Sequence, residues 1–262
     1  MEKMDIKARD ILNFLTKKYN LSKAEAWDKN GLFFDEQQTI NNIQIALDIT
    51  DDVVNDAILN NANLIISHHP LFTNQDSNDK IDYFVNIDLI EKIKKNKISL
   101  IHLHTAFDAS ANGMSMQMAK RLGLLNIKQD EQNPYLVVGE LKLGVSVDYI
   151  SRIIKQKFLS PIIKYNNIFR LETNLKRIGI IGGSGYKFAD DAFNRYQLDM
   201  LITSDLKYHN WLDAQAKKQN IIDMNHMSES IFIDVIYDEL TKFYGNDANL
   251  NKSLSIIKIN YI

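Results

Sequence analysis

Two periods of hydrophobic and polar residues alternate along this chain. From residue 6 to 19 the spacing is helical, with Ala8, Ile11, Leu12, Leu15 and Tyr19 on one face. Ser22-Lys-Ala-Glu25 has capping-box spacing and predicts a short second helix. Trp27-Asp-Lys-Asn-Gly-Leu32 reads as a polar turn with Gly31 at a positive φ. Ile43 to Asp48 then reads as a strand. Asp48-Ile-Thr-Asp51 offers N-caps for a helix over 51–61, with Val54, Ile58 and Leu59 inward, and Leu64 to Ser67 is a second strand. This is a βαβ unit, so the two strands should be parallel. Polar residues 73–85 predict a mobile loop, and 86–95 a helix with a Lys-rich end suited to its C-terminus. Ile98 to His104 is the next strand, and side-chain parity would put Ile98, Leu100, His102 and His104 on one face. Thr105-Ala-Phe-Asp108 leaves it as a loop. Asn112-Gly113 is a turn, and a Met-rich helix over 114–122 ends at Gly123. Those methionines read as core packing.

From about 126 the pattern shifts to shorter β-like runs: Tyr135 to Gly139, Leu141 to Val147 and Ile162 to Tyr165, with a helix over 148–157. Strand Lys176 to Ile181, the turn Gly182-Gly-Ser-Gly185, a helix over 187–196 and strand Met200 to Thr203 follow. A helix over 210–217, the run Asn220 to Asp223, a long amphipathic helix to about 243 and a closing strand Leu254 to Ile259 complete the chain. The fold class expected is α/β: two facing lobes with mixed or parallel sheets, divided as 1–125 and 126–262. Strand, turn, helix, strand and polar residues recur in 43–69 and 176–209, a weak echo between the two lobes.

Composition narrows the chemistry. Of 262 residues, 45% are apolar and 24% charged, ordinary for a globular protein, and the net charge of −2 gives no global pull toward nucleic acid or membrane. No apolar run has membrane-spanning length, and the expected location is cytoplasmic. There is no cysteine. Disulfides, thiolate metal sites and cysteine nucleophiles are excluded, and any metal must be held by His, Asp and Glu.

The candidate chemistry gathers around Leu64-Ile-Ile-Ser-His-His-Pro70. A buried strand ending in His68 and His69 delivers two imidazoles to the sheet edge where open α/β folds place ligands, and Pro70 ends the strand. Three other pieces carry the remaining histidines: His102-Leu-His104 with Asp108, Asp205 with His209, and His226 with Glu229. Singly, each has a bland reading as a packed ring, a loop hydrogen bond or a capping pair. Four such pieces at the ends of predicted strands favour a metal site. Two imidazoles and two carboxylates exceed what one open catalytic zinc needs, so a bridged pair of ions is the natural alternative. Gly182-Gly-Ser-Gly185 lacks the Walker lysine and the dinucleotide spacing; it reads mainly as a tight turn and secondarily as an anion contact.

With these residues in view, the chain resembles the Nif-three-like family, the type 2 GTP cyclohydrolase I homologues. The resemblance runs through Trp27-Asp-Lys-Asn-Gly-Leu32, Ala46-Leu-Asp-Ile-Thr50, Ile66-Ser-His-His-Pro70, His104-Thr-Ala-Phe-Asp108, Gly182-Gly-Ser-Gly185, Ile202-Thr-Ser-Asp-Leu-Lys-Tyr-His209 and Asp223 to Glu229. It implies a two-lobed subunit, two divalent ions (Zn, Fe or Mn) between the lobes, and a toroidal homohexamer. It places metal ligands on His68, His69, Asp108, His226 and Glu229, with Glu229 bridging and His104 beside the site. The implied reaction is hydrolytic opening of the guanine ring of GTP by metal-bound hydroxide attacking C8, with His104 or His209 as the catalytic acid. A ring-forming metal-binding interaction protein without turnover, and a dinuclear phosphoesterase, are the alternatives. The late motif of that family has a glycine before the histidine and spaces histidine and glutamate i, i+4. Here Asn225 replaces the glycine and Glu229 lies at i+3 from His226.

Overall fold

The computed structural model describes residues 6–75, 81–83, 87–160, 162–166, 174–244 and 249–254. Strands and helices in chain order are α1 (Ala8–Lys18), β1 (Gly31–Phe33), β2 (Asn42–Ala46), α2 (Asp51–Leu59), β3 (Leu64–Ser67), β4 (Phe72–Gln75), β5 (Ile81–Tyr83), α3 (Ile87–Lys95), β6 (Ser99–His102) and α4 (Thr105–Asp108). There follow α5 (Met114–Leu122), β7 (Leu125–Gln129), β8 (Val137–Val145), α6 (Val147–Lys157), β9 (Ile163–Tyr165), β10 (Leu175–Ile180), α7 (Ala189–Tyr196) and β11 (Met200–Thr203). The last are α8 (Tyr208–Ala216), β12 (Ile221–Met224), α9 (Ile231–Tyr244) and β13 (Asn249–Lys252).

The chain forms two compact units, one of residues 1–107 with 232–262, the other of 108–231. This differs from the sequential halves expected at 125/126. The change of pattern at 126 marks a change from helix to strand, whereas the unit boundary falls inside α4. A segment that returns to the first unit after a long excursion leaves no composition signal.

The first unit holds a five-stranded sheet in the order β1-β6-β3-β2-β13. β6, β3, β2 and β13 run parallel, and β1 is antiparallel at the edge. Register aligns Ala46 with Ser67 and Ser67 with His102. The carboxyl ends of the three central strands therefore stop on one line, and the residues just beyond them are Leu47-Asp48, His68-His69 and Leu103-His104. Gly31 pairs with His102. Because β1 runs the other way, the turn before it reaches the same edge. The strands read as continuous apolar runs because they are buried along almost their whole length; α2 and α3, packed side by side on one face, contribute Val53, Val54, Ala57, Leu89, Ile90 and Ile93 to the buried cluster. Thr50 caps α2, its side chain accepting from the Val53 N–H at 3.3 Å.

The second unit holds a six-stranded sheet, β7-β8-β10-β11-β12-β9. β10, β11 and β12 are parallel, and the flanking pairs are antiparallel. Its parallel strands likewise end together, at Ile180, Thr203 and Met224. The echo between 43–69 and 176–209 is thus a shared parallel βαβ topology.

Several expectations need correcting. Leu59 is the last residue of α2 and is 78% exposed. The short helix near 22 is a 3-10 turn capped by Asn20, which accepts from the Ser22 N–H. Thr105–Asp108 is one helical turn rather than a loop. The two runs around Gly139 fuse into β8, and β7 escaped the reading because its side chains are mostly exposed. Within 73–85, Phe72–Gln75 and Ile81–Tyr83 pair as a ribbon, while 76–80 and 84–86 lie outside the described residues. The last strand is Asn249–Lys252; most of the predicted Leu254–Ile259 strand lies outside the described residues.

Ile66 is fully buried in β3, directly before the site segment. Ile66→Ala should lower unfolding stability by about 2–5 kcal/mol, the cost of a truncated core aliphatic, read from the midpoint of a urea titration at unchanged slope.

Candidate metal centre

The carboxyl edge of the first unit's sheet brings three imidazoles together. A ring nitrogen from each of His68, His69 and His104 lies within 4.8 Å of the other two. Ring centroids are 4.8 Å apart for His68 and His69, 5.1 Å for His68 and His104, and 5.4 Å for His69 and His104. Each Nδ1 is committed. His68 donates to the Leu103 carbonyl at 2.9 Å, His69 to Asp48 at 2.7 Å, and His104 to Asp28 at 2.9 Å. All three acceptors lack a hydrogen, so each imidazole must carry its proton on Nδ1. In the neutral form of each ring this puts the lone pair on Nε2, the state in which histidine ligates metal.

Asp28 is the most heavily engaged of these acceptors. Besides His104 it accepts from the Thr105 N–H at 2.8 Å and from the Thr105 hydroxyl. Burial alone would raise this carboxyl, but the bonds from His104 and Thr105 and the His104 charge outweigh it and hold Asp28 well below the usual carboxylate range. Asn30 accepts from the His104 N–H at 2.7 Å, so the whole turn is fastened to residues 104–105.

His102 stands apart from the cluster. It is fully buried, donates from Nδ1 to the Ser67 hydroxyl at 2.8 Å and packs on Phe33 at 5.1 Å. Ser67 in turn donates to the His69 carbonyl at 2.8 Å. Burial pushes the His102 imidazole down to about 3, so it stays neutral and acts as internal support. The expected common face of His102 and His104 fails because the strand ends at His102.

In the second unit, carboxylate oxygens of Asp108 and Glu229 lie within 4.8 Å of each other. His226 donates from Nε2 to Glu229 at 2.8 Å and from Nδ1 to Asp205. The Glu229 charge, helped by Asp205 and opposed by burial, pushes His226 up to about 11. Asp205 turns the chain at the end of β11 with φ +59, a left-handed conformation that aspartate tolerates. Asp223 steadies that turn by accepting from the Asp205 and Leu206 N–H groups at 3.2 Å. His209 lies exposed in the first turn of α8 and joins no cluster of metal-capable side chains among the described residues.

The glycine-rich turn serves this carboxylate. Gly183 has φ +63, and a Cβ there would come within 2.7 Å of Glu229 Oε1. Thr203 clasps the turn, donating to the Gly183 carbonyl and accepting from the Gly185 N–H, both at 2.8 Å. The Gly182 N–H goes to Ser115 at 3.0 Å. Two of its amides are spent inside the protein, which favours the tight-turn reading over an anion loop.

A model of the Duf34/NIF3 (NGG1p interacting factor 3) family matches residues 6–260. The chain belongs to that family. It is similar to a curated Ureaplasma parvum protein named "GTP cyclohydrolase 1 type 2 homolog", at 96% identity over the full length of both. A relative of the same name from Mycoplasmopsis pulmonis is 30% identical over 90% of this chain and 94% of its own. The crystal structure of a Staphylococcus aureus protein, 27% identical, superposes with a TM-score of 0.83 over 99% of this chain and 100% of that one. A Bacillus cereus protein related to NIF3 shares the fold, at TM-score 0.83 and 18% identity.

The short spacing of His226 and Glu229 has a structural answer. Residues His226–Ser230 form a 3-10 helix capped by Asn225, whose side chain accepts from the Met227 N–H at 2.9 Å. At three residues per turn, positions i and i+3 eclipse. The tighter winding brings His226 and Glu229 to bonding distance despite the missing residue.

Sequence reasoning missed Asp28 and Asp48 as imidazole partners and paired Asp205 with His209 rather than His226. Asp48 was within reach, since it follows a strand parallel to the one that ends in His68. Asp28 was not, because nothing local shows that β1 is antiparallel.

Two outcomes follow. Asp48→Asn should weaken zinc affinity about 10–100-fold, the usual effect of losing a carboxylate behind a histidine ligand, measured by competition with a chromogenic chelator. Gly183→Ala should likewise lower metal uptake, because the new methyl group displaces Glu229; circular dichroism should show the fold retained.

Proposed function

We propose that this protein is a metal-dependent hydrolase acting on a nucleotide, with two divalent ions per chain held by His68, His69, Asp108, His226 and Glu229. One observation carries the reading: three imidazoles at one strand edge each give Nδ1 to a fixed acceptor and bring a ring nitrogen within 4.8 Å of one another. Imidazole nitrogens with carboxylates suit zinc, iron or manganese; an ion there would replace the proton that His226 Nε2 gives to Glu229.

Chain connectivity supports combining the two groups of side chains. Phe107 and Phe232 flank the points where the chain leaves and re-enters the first unit, and their rings pack at 5.0 Å. His68 touches both, at 5.9 and 5.1 Å. Asp108 directly follows Phe107, and Glu229 precedes Phe232 by three residues. A trans peptide spans about 3.8 Å between Cα atoms, so Glu229 is tethered within roughly 11 Å of Phe232.

The substrate class comes from the relatives' shared name, which points to GTP. Divalent ions bound there would polarise the guanine ring and make water more acidic. His104 would move the proton. Its Nε2 takes a proton from water adding at C8, while Asp28 stabilises the imidazolium across the 2.9 Å bond. Nε2 then returns the proton to the departing ring nitrogen. A second hydrolysis of the resulting formamide would release formate. The same reading carries a toroidal homohexamer, which light scattering would register as six chain masses.

Elemental analysis of purified protein should find about two ions per chain, consistent with a paired-ion site, and far less in His68→Ala. The metal-loaded protein should release formate from GTP. Full metal content with no formate would defeat the ring-opening reaction; a well-folded protein that takes up no zinc, manganese or iron would defeat the metal centre. His104→Gln should keep the metal yet lower kcat by about 10²–10⁴-fold, the scale of one proton-transfer group, in the same formate assay.

A further inference from the structure

Trp27 has an indole 56% exposed, held beside the three-imidazole cluster. Its ring meets His104 edge-on, with centroids 5.8 Å apart and planes at 73°. The other tryptophan, Trp211, packs against the core of the second unit. An indole left open to water forgoes a large hydrophobic gain, and tryptophan, with an apolar body and one polar N–H, is enriched at interfaces.

The support beneath Trp27 is rigid. The Glu25 N–H donates to the Thr105 hydroxyl at 3.0 Å. Asp28, directly after Trp27, accepts from Thr105 and His104, and Asn30 accepts from the His104 N–H. Polar bonds on both sides of Trp27 thus tie its turn to the segment carrying His104. Neither the imidazole set nor the hydrogen bonds of the turn use the indole itself. A fixed, open π-surface at the rim of a ligand-binding edge suits a flat heteroaromatic ring.

We propose that Trp27 is the platform on which the base of the nucleotide substrate stacks. This rests on the nucleotide reading above and goes further, assigning base recognition to a residue outside the metal ligands and the proton-transfer pair. Stacking selects planarity rather than a hydrogen-bond pattern, so Trp27 should serve GTP and ATP equally, with guanine selected elsewhere.

The test uses full-length, metal-loaded protein with GTP, ATP and inorganic tripolyphosphate as probes. Trp27→Leu should weaken GTP and ATP binding by about tenfold or more, the scale of one base–aromatic stack, and Trp27→Phe should recover part of the loss. Tripolyphosphate affinity and metal content should not change. In a Trp211→Phe background, where Trp27 is the sole indole, GTP should quench emission saturably and tripolyphosphate should not. Should Trp211→Phe fail to fold, calorimetry on the Trp27 variants decides alone. Equal GTP affinity in Trp27→Leu and the parent would overturn the platform and leave the nucleotide reading standing. A parallel loss of tripolyphosphate binding would also overturn it, showing general damage to the site. Failure of the metal-loaded parent to bind GTP or tripolyphosphate would overturn both readings.

Discussion

Where the histidine Nδ1 protons go is the constraint on which the candidate centre depends. An imidazole is ambiguous by itself, since either nitrogen can carry the proton. Here Leu103, Asp48 and Asp28 remove that ambiguity for His68, His69 and His104. Asp205 holds the Nδ1 of His226 in the same way, while the ring's Nε2 donates to Glu229. The acceptors are fixed in their turn. Asp28 is held by Thr105, and the turn at Asp205 is steadied by Asp223. A buried polar atom without its partner is costly, so such a network resists piecemeal change.

Strand direction puts these partners in reach. In the first unit the parallel strands β2, β3 and β6 end in register, so Asp48, His68, His69 and His104 follow from neighbouring strand ends. The antiparallel β1 brings Asp28 to that edge from the opposite direction. In the second unit, β10, β11 and β12 do the same for Gly183, Asp205 and His226. Buried aliphatic helix faces keep the strands level, linking packing in the core to the placement of polar groups at the edge.

Much of this was legible. The parallel βαβ pairing, the helix capped by Thr50, the Gly123 helix stop and the grouping of His68, His69 and His104 at a strand edge all follow from local pattern. What was hidden depends on distant parts of the chain. His102 shares the spacing of His104, and only the strand's end at residue 102 sends one ring inward and the other to the cluster. Asp28 reads as a turn residue because its partner lies 76 positions away. The i+3 spacing of His226 and Glu229 looked like a defect under α-helical geometry; the 3-10 winding, set by the Asn225 cap and the turn after β12, is what reconciles it.

The first unit's interrupted chain bears on the order of assembly. Residues 108–231 are contiguous, while the first unit needs 232–262, including β13 beside β2 and Phe232 against His68. During synthesis from the N-terminus, domains fold as their residues emerge. The inserted unit therefore has its full complement of residues while its host still lacks an edge strand and one ring of the wall behind His68. Phe232 reaches His68 only after the whole inserted unit has been made, so a product ending before residue 232 would present the histidines without that ring.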